Sequence, residues 1–339
     1  MVALERGWQL CSSAVSHVAR AQFLPAVAAA REGLDATPFE ALRLQRGLHN
    51  VLGLALHGSG DYVQAHAHLE SAVKLAEECG RQGAAHDAFV DVAGALGDLA
   101  ANHIRLEQPQ DAEKLLKRGA YMLKRAYRPS PTAQACLQSV DGWLAHARGD
   151  FDTAFTSHQA SYSLLTTTGM LNNVDACQTG RLPQENWPPS RGRSEPLTIS
   201  TWTHAAMGGS IAALLSQQRR SPRLAASADR LAASALEAIS PDELDARCAP
   251  LARSNAALAM LATARSDLAA GGNKPASSDT KCNAASQLEE VAADLELLLG
   301  PQHSLVSKAR LNAAAAAACR LDELDPLWQP ALGAGLMDL

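Results

Sequence analysis

Four times along this chain the same spacing of small residues returns, and no other feature limits its fold so tightly. In the stretch LHNVLGLALHGSGDYVQAHAHLESAVKLAEE, Gly53 lies twelve residues before Ala65, Tyr62 three before it, Leu69 four after and Ala72 seven after. Gly142, Phe151, Ala154, His158 and Ser161 meet the same template, and Gly60-Asp61 is matched by Gly149-Asp150. Looser copies are Ala14, Phe23, Ala26, Ala30 and Gly33, then Ala100, Pro109, Ala112, Leu116 and Gly119. Offsets of four and seven keep to one face of a helix. Small residues on that face let two antiparallel helices approach closely. The Gly-Asp pair turns the chain between them, and the larger residue fills the gap beside the turn. Each copy is therefore expected to be a helical hairpin, anchored on the alanines at 26, 65, 112 and 154.

Composition agrees with helices and against sheets. Of 339 residues, 115 are Ala or Leu while only 17 are Val or Ile, and aromatics make up 4%. Strands draw on β-branched and aromatic residues, so the chain reads as all-α. With 47% apolar and 19% charged residues it buries enough surface to fold. A net charge of −5 and a pI near 6.1 give no overall attraction to nucleic acid or anionic membrane.

The cysteines at 11, 79, 136, 177, 248, 282 and 319 are odd in number and at least 34 residues apart. That spacing offers no CxxC or zinc pattern, and small buried thiols in a reducing compartment are expected. No apolar run approaches the length of a membrane-spanning helix; the six alanines at 313–318 are the best candidate. The first residues lack a basic start followed by a long apolar core, so no secretory signal is read there. The expected location is the cytoplasm or, for a processed chain, an organelle such as a mitochondrion or plastid.

The template residues resemble the tetratricopeptide repeat. Their anchoring alanines are 39, 47 and 42 apart, longer than the roughly 34-residue repeat of the commonest arrays. That spacing is similar to the kinesin-light-chain subtype. Residues 295–318, LELLLGPQHSLVSKARLNAAAAAA, resemble that subtype's inter-repeat signature through Gly300, Pro301, His303, Leu311 and Asn312, while Gln302 and Ser304 depart from it. Just upstream, Ala284, Leu288 and Val291 repeat the spacing of zero, four and seven. The resemblance implies a right-handed α-solenoid of antiparallel helical hairpins.

Along the chain, residues 1–170 are expected to hold N-terminal repeats and 171–201 a long irregular insertion rich in Pro, Gly, Asn and Ser. Residues 202–325 are expected to hold C-terminal repeats, with helices near 203–219 and 222–238 and a loop at 270–283. The last stretch, 326–339, with Pro326 and Pro330, reads as a tail.

Motifs for catalysis are missing: the sequence has no HExxH, GxSxG, Walker A loop or strand-borne GxGxxG. A non-enzyme without a cofactor or bound metal is expected. His66 and His68, two residues apart, point to different sides of a helix, and His49 and His57 lack a third ligand at helical spacing.

Two surfaces remain as candidates. In the resembling family the first helix of each hairpin lines a concave groove, where asparagines bond to the backbone of an extended peptide. The resemblance places Asn50, Asn255 and Asn312 there, as amides offering both donor and acceptor. The cationic clamp that captures chaperone tails is not matched, since Trp8, Cys11, Gly47, Gly97, Asp98, Cys136 and Val140 stand at those places. The second surface is basic. At ~100° per residue, Lys114, Lys117, Arg118, Lys124, Arg125 and Arg128 fall within about 120° of arc, opposite Leu115, Leu116, Met122, Leu123 and Tyr127. It reads as a solvated outer helix face, and scarce aromatics make base stacking hard to arrange. Together these features suggest a scaffold or adaptor binding a protein or extended peptide in its groove. The alternatives are a structural subunit of a larger assembly, an organellar one included, and an RNA-associated helical repeat.

Overall fold

Each copy of the template folds as a hairpin. The computed structural model describes residues 2–20, 22–83, 88–128, 130–167, 253–254, 257, 278–318 and 320. Their helices are α1 (Val2–Ala19), α2 (Phe23–Ala36), α3 (Leu42–Gly58), α4 (Tyr62–Arg81), α5 (Ala88–Arg105), α6 (Pro109–Arg125), α7 (Pro131–Ala147), α8 (Phe151–Thr167), α9 (Ser278–Leu299) and α10 (Ser304–Ala317). No strand occurs among the described residues. Within the hairpins α1 packs on α2, α3 on α4, α5 on α6, α7 on α8 and α9 on α10. Between hairpins, α1 meets α3, α3 meets α5, and α5 meets α7. The architecture is an all-α array of stacked helical hairpins.

The turns show why the repeat length varies while the hairpin does not. Backbone N–H groups of Gln22, Asp61, Gln108 and Asp150 donate to the carbonyls of His17, Leu56, His103 and Ala145, at 2.8, 2.9, 2.9 and 3.0 Å. Each bond spans five residues, the outer bond of a Schellman cap. The residue before three of these donors has positive φ: Gly60 at 90°, Glu107 at 58° and Gly149 at 73°. Nothing lies within 4 Å of where a Cβ on Gly149 would stand, so its φ alone calls for glycine. The donors are 39, 47 and 42 residues apart, and an anchoring alanine follows each by four. Length variation is therefore taken up outside the turn.

Packing follows the template position by position. A Cβ on Gly53 would stand 2.6 Å from Leu69, and one on Gly142 would stand 2.6 Å from His158. The position twelve before the anchor thus meets the position four after it. Ala26, Ala65, Ala112 and Ala154 are all fully buried. Ala65→Leu is expected to destabilise by about 1–3 kcal/mol, because extra methylenes at a close helix contact force strain. A urea titration checks this, and an unchanged midpoint would remove Ala65 from the contact.

The C-terminal hairpin repeats the pattern, with Ala284, Leu288 and Val291 buried on α9. Its first helix begins at Ser278, inside the stretch expected as a loop. Ser and Asp suit the start of a helix, so the irregular composition there ends earlier than the sequence implied. Gly300, at φ 83°, ends α9, and the His303 side chain caps α10 by accepting from the Leu305 N–H at 3.2 Å. The expected helices near 203–219 and 222–238, the insertion 171–201 and the tail 326–339 lie outside the described residues.

This hairpin folds back onto the N-terminal array. Val291, Leu295, Leu305, Val306 and Ala309 share one apolar cluster with Ala100, Ile104, Leu116, Val140 and Trp143 of α5, α6 and α7. At the α3–α4 turn, a Cβ on Gly60 would lie 3.5 Å from His303 Nε2. All fifteen residues of 90–104 in α5 are buried. Fifteen successive residues point in every direction around a helix axis, so α5 is covered on all sides.

Candidate interaction site

Helices α3 and α5 run parallel and are joined by a buried polar seam. Arg46 Nη1 lies 2.6 Å from Asp91 Oδ2. Asn50 Nδ2 donates to Asp98 Oδ2 at 3.0 Å, and His57 Nδ1 donates to Asn102 Oδ1 at 2.9 Å. Asn102 Nδ2 in turn donates to the Tyr62 carbonyl at 3.0 Å. All six seam residues are buried. These pairs are 45, 48 and 45 residues apart in sequence, close to one repeat. That offset was the one sequence signal that could have revealed them.

Asn50, placed in the groove by the resemblance, stands inside this seam. Asn50 is 1% exposed and its NH₂ group is bonded to Asp98. Asn312 is likewise 1% exposed, inside α10's packing. Asn255 lies outside the described residues. Residue type told what these amides can bond, but the fold-back and the neighbouring helix decided what they meet.

The histidines split into separate pairs. His49 and His68 bring their Nδ1 atoms to 3.1 Å between α3 and α4, whereas the His66 ring sits edge-on to His103 at 4.9 Å. His66 and His68 thus reach different neighbours, and so do His49 and His57. Among the described residues no three His, Cys, Asp or Glu side chains group as metal ligands. Burial lowers His49 to about 4, with His68 adding to the effect. Burial also lowers His68, helped by Arg31, and lowers His103 against the opposing bond from Gln108.

A histidine lowered on folding binds its proton more readily in the unfolded chain. Its stabilising contribution is complete above the ordinary value of 6.5 and is lost as pH falls toward about 4. Thermal midpoints should therefore drop across that window, and His49→Gln should flatten the dependence. A midpoint that rises on acidification would contradict the burial of this pair.

Five residues of the basic face lie on α6 and Arg128 lies past its end, and the two halves of the face differ. In the first half Lys114 pairs with Asp111 at 2.8 Å, Lys117 with Glu113 at 2.6 Å, and Arg118 with Glu77 of α4. Lys117 and Arg148 together hold the Glu113 carboxyl at about 2. In the second half Lys124, Arg125 and Arg128 are exposed. The Arg125 guanidinium lies over the rings of Phe89 and Tyr121, at 5.0 and 5.8 Å. Tyr121 is 54% exposed and Tyr127 is 89% exposed. Two of the chain's four tyrosines thus stand in solvent beside these cations, which the count of aromatics alone had hidden.

At the N-terminal end, Leu4, Trp8, Ala41, Leu42 and Leu44 help to line an open cleft of about 230 Å³. No helix among the described residues is long and apolar enough to cross a membrane. The sequence matches no protein-family model, and a search of the curated proteins finds no match either.

Proposed function

We propose that this chain is a non-enzymatic scaffold of tetratricopeptide type, built as a subunit into a larger assembly and meeting its protein partners with its outer faces and loops. The observation that carries this reading is the burial of α5 on every side. An adaptor that takes peptides in its groove leaves its inner helices open to solvent between clients. Apolar residues of α9 and α10 join the core of α5–α7, which supports a closed inner side. Partners are then left with the outer surface.

The groove-adaptor reading is weaker because it requires the C-terminal hairpin to leave and the Asn50–Asp98 bond to open. Either role rests on protein contact. Purification of the chain from its native source under gentle conditions, followed by native mass spectrometry, tests the proposal. A stoichiometric complex that survives moderate salt is expected. A chain that is recovered alone, or with partners well below one to one, overturns it.

A further inference from the structure

The cleft at the N-terminal end has a large apolar side chain standing beside it in water. Phe39 is 78% exposed, and it directly precedes Glu40, one of the residues that line the cleft. We propose that this end is a self-association surface, where two copies of the chain meet about a two-fold axis and each places its Phe39 ring in the other's cleft.

Three observations carry the proposal. First, Phe39 sits on a turn that is pinned in place. The Ala41 N–H closes it by donating to the Pro38 carbonyl at 3.0 Å. Just before it, the Thr37 hydroxyl donates to the Gly33 carbonyl at 2.6 Å, and the Gln45 side chain donates to the Thr37 carbonyl at 2.9 Å. A residue fixed before contact loses little freedom on binding, and neither turn chemistry nor the core accounts for an aromatic ring at this corner. Second, the cleft has an apolar floor of Leu4, Trp8, Leu42 and Leu44 and opens to solvent with about 230 Å³ of space. A pocket of this kind is what an aromatic anchor fills in a protein contact. Third, the rim carries one charge of each sign, Glu40 and Arg43, both exposed. Neither forms an ion pair among the described residues. Across a two-fold contact Glu40 of each copy faces Arg43 of the other, so the same two residues complete two ion pairs. Ring, pocket and both charges all come from one surface, which favours a second copy over a foreign helix or peptide. A rim of a single sign would have called for a partner of the opposite one. The contact stands apart from the reading of the chain as an assembly subunit, since it needs only the purified chain.

Sedimentation equilibrium of the purified full chain at micromolar concentrations tests the contact. The weight-average mass should rise with concentration from 35.7 kDa toward twice that value. Phe39→Asp should weaken the dimer about thirtyfold or more, the scale of a hot-spot residue, because it brings a carboxylate to an apolar pocket. Glu40→Arg and Arg43→Glu, each alone, set like charges against each other across the axis and should weaken the dimer about fivefold or more. Mixed in equal amounts, these two variants should form a mixed dimer as tight as wild type, since every rim pair is again of opposite sign. All three positions are exposed, and circular dichroism will show that the variants remain folded. The proposal is overturned by a mass that stays at 35.7 kDa at every concentration, by Phe39→Asp dimerising like wild type, or by the two charge variants failing to associate when mixed.

Discussion

Asp91→Ala is expected to lower stability by about 3–5 kcal/mol, the usual result of removing one partner from a buried ion pair. Arg46 is buried on α3 with Asp91 beside it at 2.6 Å. Without the carboxylate its guanidinium is left as an uncompensated charge inside the array. Replacing both residues, as Arg46→Met with Asp91→Leu, should recover most of the loss, because an apolar pair of similar volume removes both desolvation penalties together. Urea midpoints at constant m-value measure both. A single variant that costs under about 1 kcal/mol would mean that the pair is solvated and the α3–α5 seam is open.

Trp143→Ala should cost about 3–5 kcal/mol as well, by a different route. Trp143 is fully buried on α7. The His146 ring stacks on it at 5.0 Å and the His158 ring meets it edge-on at 4.7 Å. Loss of the indole leaves a void that helices on both sides are too rigid to fill, and it undoes the contact by which α7 holds α8 near Gly142. The same residue belongs to the cluster that receives the C-terminal hairpin. The loss should therefore appear as one cooperative shift of the denaturation curve, measured by circular dichroism. A separate early transition would place Trp143 outside the shared core.

The hairpins were legible because small residues at fixed offsets have one physical use, close helix approach. Gly53 against Leu69 and Gly142 against His158 realise it directly. The fold-back of α9 and α10 was not legible. Leu295 and Val306 mark an apolar face, but periodicity says only that a face is buried, not which surface it meets. Asn50 shows the same limit, for its amide suits a peptide backbone and the Asp98 carboxylate equally well. On α6 five of the six cations expected together do share the helix, Arg128 lying past its end, and the position of Tyr121 four residues before Arg125 was readable too. Tyr127 was assigned to the opposite, apolar side because the helix was extended through it, whereas α6 ends at Arg125.

The chain's own C-terminal hairpin joins the core of α5–α7 and helps to cover α5, and hydrogen–deuterium exchange tests this most directly. Leu295 and Val306 are both fully buried within the shared cluster. Changing both to Asp places two carboxylates in that apolar contact and should lift the hairpin. In the unaltered chain, peptides from 90–104 should be among the slowest to exchange. In the double variant they should exchange markedly faster, while peptides from α1 and α2 stay as they were. Faster exchange confined to 278–318, with 90–104 still protected, would contradict this and show that α5 owes its cover to something other than the hairpin.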